Sequence, residues 1–335
     1  MPFSKPPLQS WRSNLVPPLS ICIGIPTFRR AHRLATLLDT LNQLLVARPH
    51  VRVCVVNDGS HDASYEQTLA GGEFAWLDYR VLKENHGCGG ARRAAFEAAQ
   101  EDVLVCIDDD SVPTKAWLTQ VEMLSAANPA VDFFTGDVKP VWNTPPSPYV
   151  EDLSCIDLKS SSVMTSHGLM TAVAANIVMR RLAYERAGGF FEDMPGAEDC
   201  DITQRMIASG AVYKVAPDLI IGHLAQKRYG PMRARFRSYG FYAARYVLIR
   251  QDWRIASRQP NSGVRDFWWR AQRQFSRIYI SAKGEGFSFF RCMRRAFFAT
   301  LFSMAYDHAW QRALKREGRK LGASRPQPPV LADTF

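Results

Sequence analysis

The chain has 335 residues, of which 47% are hydrophobic, and a formal net charge of +10, so it has enough apolar residues to bury a substantial core. The charge is uneven: residues 227–320 contain 22 Lys and Arg against 5 Asp and Glu, whereas residues 1–226 contain 19 against 26. No stretch approaches 18 apolar residues, so we expect no transmembrane helix. An acidic body joined to a basic C-terminal third predicts two parts with different functions.

The N-terminal segment is rich in proline and has no apolar centre. We therefore expect residues 1–19 to be a flexible tail rather than a signal peptide. The seven cysteines form no CxxC pair and no zinc-ligand spacing, and several lie inside apolar runs. This usage indicates a reducing compartment and predicts a cytoplasmic protein.

Strand-like and helix-like segments alternate through the first half of the chain. The predicted strands are 21–26, 51–58, 79–84, 103–108 and 131–138, and the predicted helices include 30–46, 90–100 and 114–127. Such alternation predicts βαβ units and a mostly parallel sheet with helices on both faces. Ligands bind beyond the carboxyl ends of strands in such sheets, and Pro26, Asp58 and Asp108 stand at these ends.

The second half of the chain is less regular. Residues 139–169 are rich in Pro and Ser and predict a long loop, and a β-like stretch follows at 169–181. Residues 211–223 predict two short strands. From residue 227 to about 322 the pattern is helical and basic, and the Pro-rich segment 323–335 is predicted to be disordered.

The strand at 103–108 ends in three carboxylates, Asp108, Asp109 and Asp110. Like charges at the end of a buried strand repel one another, and a bound divalent metal removes that cost. Carboxylate oxygens suit Mg²⁺ or Mn²⁺, especially where phosphate completes the coordination shell. Alternatively, Asp110 or Ser111 caps a helix that starts near Pro113, and the other carboxylates are solvated.

Two other motifs follow strand ends. Asp58 can accept hydrogen bonds from a nucleoside, with Gly59 allowing a sharp turn, or the pair can be an ordinary Asp-Gly turn. Further on, three glycines within residues 84–95 precede a helix that carries Arg92 and Arg93. A helix N-terminus of this kind favours a phosphate.

Acidic residues also open a later helix at Glu198, Asp199 and Asp201. One of these carboxylates can be a general base that a neighbour orients, although the helix dipole alone favours acids in a first turn. Asp201 can instead pair with Arg205 four residues later. His223 ends the last predicted strand, where it can supply a nitrogen ligand to the same metal or be an ordinary histidine.

Taken in order, these motifs resemble glycosyltransferase family 2, the inverting nucleotide-sugar transferases with the GT-A fold. The matching segments are IGIPTF (23–28), Asp58-Gly59-Ser60, Asn85-His86-Gly87 with Ala91-Arg92, Asp108-Asp109-Asp110, AANIVMRR (174–181), and Gly188-Gly189-Phe190 with Glu198-Asp199-Cys200-Asp201. The resemblance covers residues 20–225. It implies a catalytic domain over 20–226 with a Rossmann-like, mostly parallel sheet, followed by a basic helical region over 227–322.

The resemblance also implies a role for each matching residue. Asp108 and Asp110 would hold Mn²⁺ or Mg²⁺, with His223 as a further ligand. Asp199 would deprotonate the acceptor hydroxyl, with Glu198 beside it, and configuration would invert at the anomeric carbon. The residues implied to contact the donor are Pro26, Thr27, Asp58, Asn85, Gly87, Arg92, Asp109 and Asn176.

The implied reaction transfers one hexose from a UDP- or GDP-linked sugar to a hydroxyl of a saccharide or lipid-linked acceptor. Gln204-Arg205 lacks the Gln-x-x-Arg-Trp pattern of processive members, so we expect a single addition. A sugar nucleotidyltransferase is one alternative, but its first strand normally precedes a glycine-rich loop, where this chain has PTFRRAHR. A non-catalytic nucleotide-sugar-binding module is another, which the intact acidic residues argue against.

Arginines alternate with aromatic residues throughout residues 227–320. This composition suits an anionic membrane surface, which would place the protein at the inner face of the cytoplasmic membrane. It equally suits packing of arginine stems and aromatic rings onto the acidic body, or oligomerisation. Nucleic acid is not expected as a partner, because nucleic-acid binding would not explain carboxylates at strand ends.

Overall fold

The computed structural model describes residues 18–72, 74–147, 150, 162–164, 170–192, 194, 196–225, 228–251 and 264–320. The tail predicted over residues 1–19 lies outside this part of the chain except at its C-terminal end. The tail predicted over 323–335 and most of the second half of the 139–169 loop also lie outside it.

A mixed eight-stranded sheet forms the centre of the protein, in the order β3-β2-β1-β4-β9-β6-β10-β5, and β7 and β8 form a separate two-stranded sheet. The strands are β1 (Ile21–Thr27), β2 (Val51–Asn57), β3 (Leu77–Val81), β4 (Val103–Cys106), β5 (Ser111–Val112), β6 (Phe133–Val141), β7 (Ser162–Met164), β8 (Met170–Ala172), β9 (Ile177–Arg180) and β10 (Tyr213–Leu224). The helices are α1 (Ala31–Leu45), α2 (Ser64–Ala70), α3 (Gly87–Phe96), α4 (Lys115–Ala127), α5 (Arg181–Arg186), α6 (Glu198–Ala208), α7 (Tyr229–Arg250), α8 (Val264–Gly284) and α9 (Phe289–Lys320).

The central strands are almost wholly apolar because both faces of the sheet are covered. Strands β1 to β4 pair in parallel, and β10 is parallel to β6. Strand β9 runs antiparallel between β4 and β6, and β5 runs antiparallel to β10. The prediction of an α/β fold with a mostly parallel sheet is therefore confirmed.

Alternate residues of each strand pack against helices on opposite faces. Ile21, Ile23 and Ile25 of β1 join the apolar side chains of α1 and α4 in one core. Cys22 of the same strand lies in a second core with side chains of α3, α5 and α6, including Phe96. Helices on both faces thus hold the carboxyl ends of β1, β2 and β4 at one edge of the sheet.

Several boundaries differ from the sequence-based prediction because partners distant in sequence set them. Residues 211–223 form most of one strand, β10, whose pairing with β6 shifts register between Ala216 and Ile220, rather than two short strands. The β-like stretch 169–181 divides into β8, a 3₁₀ turn at Ala174–Asn176, and β9. Strand β3 begins earlier than predicted because its ladder with β2 aligns Leu77 with Val53.

The basic C-terminal helices pack onto the acidic body. Cys200 of α6 lies in one apolar cluster with Val247 of α7 and Trp310 of α9. Arg250 donates to Asp201 of the body and lies over the ring of Phe191. Packing, one of the predicted roles of this region, is therefore present among the described residues. No described helix is long and apolar enough to cross a membrane.

Candidate active site

Two of the three carboxylates that follow β4 are buried rather than solvated, and the third, Asp108, is partly exposed. Asp109 is 3% exposed and Asp110 is 4% exposed. Neither residue caps a helix: α4 begins at Lys115, and the Thr114 hydroxyl accepts the capping hydrogen bond from the Trp117 amide at 3.1 Å. The capping alternative is therefore wrong.

Asp108, Asp110 and His223 converge on one point at the sheet edge. Strand β10 pairs with β5 so that His223 stands opposite Ser111, one residue after the carboxylates. The His223 Nε2 atom lies 2.9 Å from Asp110 Oδ1 and 3.4 Å from Asp108 Oδ2, and ligand atoms of all three residues lie within 4.8 Å of one another.

This donor set fits a divalent metal. Two carboxylates and one imidazole suit Mn²⁺ or Mg²⁺. The Asp110 Oδ1 atom is buried and accepts no well-aligned hydrogen bond, although the imidazole is close. Burial lowers the pKa of His223, but the carboxylates of Asp108 and Asp110 outweigh burial and raise this pKa to about 9. A cation at this point would satisfy the free carboxylate oxygen and displace the imidazole proton.

Two arginines from the segment after β1 face the same carboxylates. The Arg30 NH1 atom lies 3.0 Å from Asp109 Oδ1 and 3.3 Å from Asp110 Oδ2, and Arg33 also donates to Asp110. The sequence-based prediction assigned no role to either arginine. The basic PTFRRAHR segment was the available signal, since it stands at the carboxyl end of a central strand.

Arg92 connects the metal-ligand cluster to the acidic residues that open α6. It is 2% exposed, and its two terminal nitrogens donate to Glu198 and Asp108. Burial opposes the charge of Arg92, but these carboxylates outweigh burial and raise its pKa. Both ends of the guanidinium are held by protein carboxylates, and the predicted donor contact of Arg92 stays a prediction.

The two predicted catalytic acids occupy different environments. Glu198 is 7% exposed, and burial raises its pKa to about 7 against the opposing effect of Arg92. Asp199 is partly exposed, and its Oδ1 atom accepts a hydrogen bond from the Cys200 amide at 2.8 Å. Burial raises the pKa of Asp199 as well. Asp201 pairs with Arg205 at 2.6 Å, which confirms its structural alternative.

The predicted nucleotide residues Asp58, Asn85 and Gly87 lie together at the start of α3. The Asp58 carboxylate accepts hydrogen bonds from the Asn85 side chain and from the amides of His86 and Gly87, each at 2.8 Å. Asp58 therefore caps α3 from the end of β2, which explains why this helix begins at Gly87 rather than at residue 90. Contact with a nucleotide stays a prediction for these three residues.

Thr27 orients one of the acidic residues. Its hydroxyl donates to Asp109 Oδ2 at 2.9 Å and lies 2.9 Å from the Tyr65 hydroxyl. Burial raises the pKa of Asp109 to about 6, although Arg30 opposes the shift. The preceding residue, Pro26, is partly exposed at the same strand end. Donor contact stays a prediction for Pro26, Thr27 and Asp109.

Asn176 lies inside the core. It is fully buried: its side-chain oxygen accepts from Trp117 Nε1 at 2.9 Å, and its nitrogen donates to the carbonyls of Asp137 and Leu219 at 2.9 and 2.7 Å. These three contacts join α4, β6 and β10. The predicted sugar contact of Asn176 stays a prediction, and the observed role of this amide is to connect these three elements.

Helix α7 forms a wall of the site that was not predicted. A Cβ added at Gly196 would lie 2.3 Å from the Tyr242 ring, so the ring packs directly on the loop before α6. Burial raises the pKa of Tyr242, and the charges of Cys88 and Glu198 add to the shift. The alternation of arginine and aromatic residues in α7 was a signal for contact, but the sequence did not indicate the surface that α7 meets.

Comparisons with known proteins agree with this geometry. The profile of the family described as Glycosyl transferase family 2 matches residues 22–186. A pre-mycofactocin glycosyltransferase of Mycobacterium tuberculosis (strain ATCC 25618 / H37Rv) is 27% identical over 238 residues, which are 69% of this chain and 48% of the relative. Glycosyltransferase AglE of Haloferax volcanii is 23% identical over 222 residues, which are 65% of this chain and 71% of that protein. The chain thus spans about half the length of the mycobacterial relative.

A solved structure shares the fold. The mannosyltransferase PcManGT from Pyrobaculum calidifontis, solved in complex with GDP-Man and Mn²⁺, superimposes with a TM-score of 0.50 at 16% identity. The similarity covers 92% of this chain and 76% of that structure. The GT-A fold expected from the sequence motifs is therefore confirmed, with the C-terminal helices in addition to it.

Proposed function

We propose that this chain, which belongs to glycosyltransferase family 2 through residues 22–186, transfers a sugar from a nucleotide diphosphate sugar to an acceptor hydroxyl. The observation that carries the proposal is the cluster of Asp108, Asp110 and His223, joined through Arg92 to the acidic start of α6. Metal ligands and a carboxylate base at one sheet edge are the two groups that inverting transfer requires.

Each residue of the site has a separate role in this transfer. A divalent cation held by Asp108, Asp110 and His223 would supply positive charge for the leaving nucleoside diphosphate. Asp199 takes the proton of the acceptor hydroxyl as that oxygen attacks the anomeric carbon from the face opposite the leaving group, so configuration inverts. Burial keeps the pKa of Asp199 above its usual value, which improves it as a base. Glu198 stays bound to Arg92 and holds the start of α6 in place.

The donor is proposed to be a UDP- or GDP-linked hexose. The structure that shares the fold is a complex with GDP-Man and Mn²⁺, so GDP-mannose is the first donor to test. At 16% identity this likeness supports the fold alone. The acceptor is proposed to be a saccharide, free or lipid-linked.

Calorimetric titration with UDP and GDP tests the donor and the metal together. We expect one nucleotide to bind in the presence of Mn²⁺. The affinity for this nucleotide should fall at least about tenfold in EDTA, which removes the metal, and in an Asp110→Ala variant, which lacks one buried metal ligand. An Asp39→Ala variant is the matched control, since Asp39 is an exposed carboxylate of α1. If Asp110→Ala bound the nucleotide as tightly as the wild type, the proposed metal site would be wrong.

We also propose a cytoplasmic location with the C-terminal region against an anionic membrane. Phe289, Phe290 and Phe297 of α9 are 60%, 82% and 53% exposed, in a helix rich in arginine. Exposed rings beside cationic side chains suit the headgroup region of a bilayer.

Flotation with phosphatidylglycerol vesicles tests this location. We expect the wild-type chain to float at low salt, and a Phe290→Ser/Phe297→Ser variant to float several-fold less. A Leu182→Ser variant is the control, since Leu182 is an exposed apolar residue of the catalytic body. Equal flotation of all three proteins would contradict membrane contact through α9.

A further inference from the structure

A groove of about 780 Å³ lies between α7 and α9. Helix α7 contributes pairs of residues four apart, Arg237 with Phe241 and Ser238 with Tyr242. The C-terminal half of α9 contributes Arg312 and Lys315 among others. This spacing places the lining residues on one face of each helix. The volume is within the range of pockets that hold small ligands.

The groove is strongly cationic. Arg237, Arg312, Lys315 and Arg316 line it, and its lining includes no Asp or Glu. Arg237, Arg312 and Lys315 are exposed, and none of their side chains has a hydrogen bond or ion pair with another described residue. Two other arginines of the same region have carboxylate partners: Arg250 pairs with Asp201, and Arg295 with Glu285. The three cations without a partner in the described chain, Arg237, Arg312 and Lys315, create a positive potential that attracts an anionic ligand to the groove.

The groove adjoins the catalytic residues through Tyr242. This residue lines the groove, and its ring also packs on Gly196, two residues before Glu198. Because α6 begins at Glu198, this contact places Tyr242 beside the start of that helix. A ligand in the groove would therefore sit beside the acidic start of α6.

We propose that this groove binds the phosphate or diphosphate group of a phosphorylated saccharide acceptor. The inference rests on the proposed glycosyl transfer and names the chemical class of its acceptor. Arginine side chains bind phosphate through paired hydrogen bonds, and several cations together match a group of more than one negative charge. The rings of Phe241 and Tyr242 offer an apolar surface to the adjoining sugar.

Titration with inorganic pyrophosphate in EDTA tests the groove without the metal site. Three full-length proteins are compared: the wild type, a groove variant (Arg237→Gln/Arg312→Gln/Lys315→Gln), and a control variant (Arg233→Gln/Arg277→Gln/Lys283→Gln). The control residues are exposed cations of α7 and α8 outside the groove, so both variants have the same net charge. We expect the groove variant to bind pyrophosphate at least about tenfold more weakly, and the control variant to bind within about twofold of the wild type.

Three outcomes would overturn the proposal. These are no binding of pyrophosphate to the wild type, equal weakening in both variants, or a groove-dependent loss of binding to phosphatidylglycerol vesicles without any loss for pyrophosphate. The last would assign the groove to a membrane surface. Nucleotide binding with Mn²⁺ is measured on the same proteins and is expected to be unchanged in the groove variant. If the wild type bound no nucleotide, the proposed transfer would be contradicted. If the wild type bound nucleotide but no pyrophosphate, only the acceptor class would be contradicted.

Discussion

An Asp199→Asn variant is expected to use its donor about 10³-fold more slowly than the wild type while binding the nucleotide equally well. The amide keeps the shape of the carboxylate and its place at the start of α6 but cannot take a proton. Asp199 is the better candidate base of the two acids because it is partly exposed, whereas Glu198 is bound to Arg92 and buried.

Release of nucleoside diphosphate measures this effect, with simple alcohols as acceptors. Loss of a general base slows attack by a weakly acidic alcohol such as ethanol more than attack by a more acidic one such as trifluoroethanol. The ratio of the two rates therefore separates a missing base from a misfolded site. An Asp218→Asn variant, which changes an exposed carboxylate of β10, is the matched control. The assignment of the base to Asp199 would be refuted if the Glu198→Gln variant showed the larger loss of rate and the Asp199→Asn variant kept the wild-type rate.

An Arg92→Met variant is expected to lower the free energy of unfolding by about 3 kcal/mol. Removing Arg92 leaves the carboxylates of Glu198 and Asp108 without their shared cation in a buried region. The expected value is at the lower end of the usual range for a broken buried pair, because the Asp108 side chain is 29% exposed and water can reach it.

Urea unfolding of matched variants checks this value. Arg93→Met makes the same chemical change at the next residue of α3, where the guanidinium has one hydrogen bond, to the Phe190 carbonyl, and it should cost about 1 kcal/mol or less. Adding Glu198→Gln to Arg92→Met should restore at least about half of the loss, because it removes one unpaired charge. No recovery in the double variant would show that the cost comes from lost packing rather than from charge.

Local patterns in the sequence were sufficient for the architecture and for the residues at strand ends. The apolar runs of β1, β2 and β4 are confirmed as the centre of a mixed α/β sheet, since a buried strand must be apolar on both faces. The carboxylates at 108–110 stand where predicted, because a polar residue that ends such a run is held at the sheet edge.

Roles that depend on partners distant in sequence were not predicted. Asn176 matched a donor-binding motif, yet the folded chain surrounds it with Trp117, Asp137 and Leu219. Arg92 matched a phosphate-binding helix, yet Glu198, more than a hundred residues away, binds its guanidinium. A side-chain amide or guanidinium suits either a ligand or a buried protein partner, so residue type alone did not distinguish the two.

The sequence by itself determined which residues are chemically able to act: the acids at 108–110 and 198–199, the histidine at 223 and the cationic C-terminal third. The tertiary structure alone decided which of them meet. Pairing of β10 with β5 brings His223 to Asp110, and packing of α7 on Gly196 brings the basic groove to the acidic start of α6. Such contacts arise from strand order and helix packing between distant segments, which no local pattern of residues encodes.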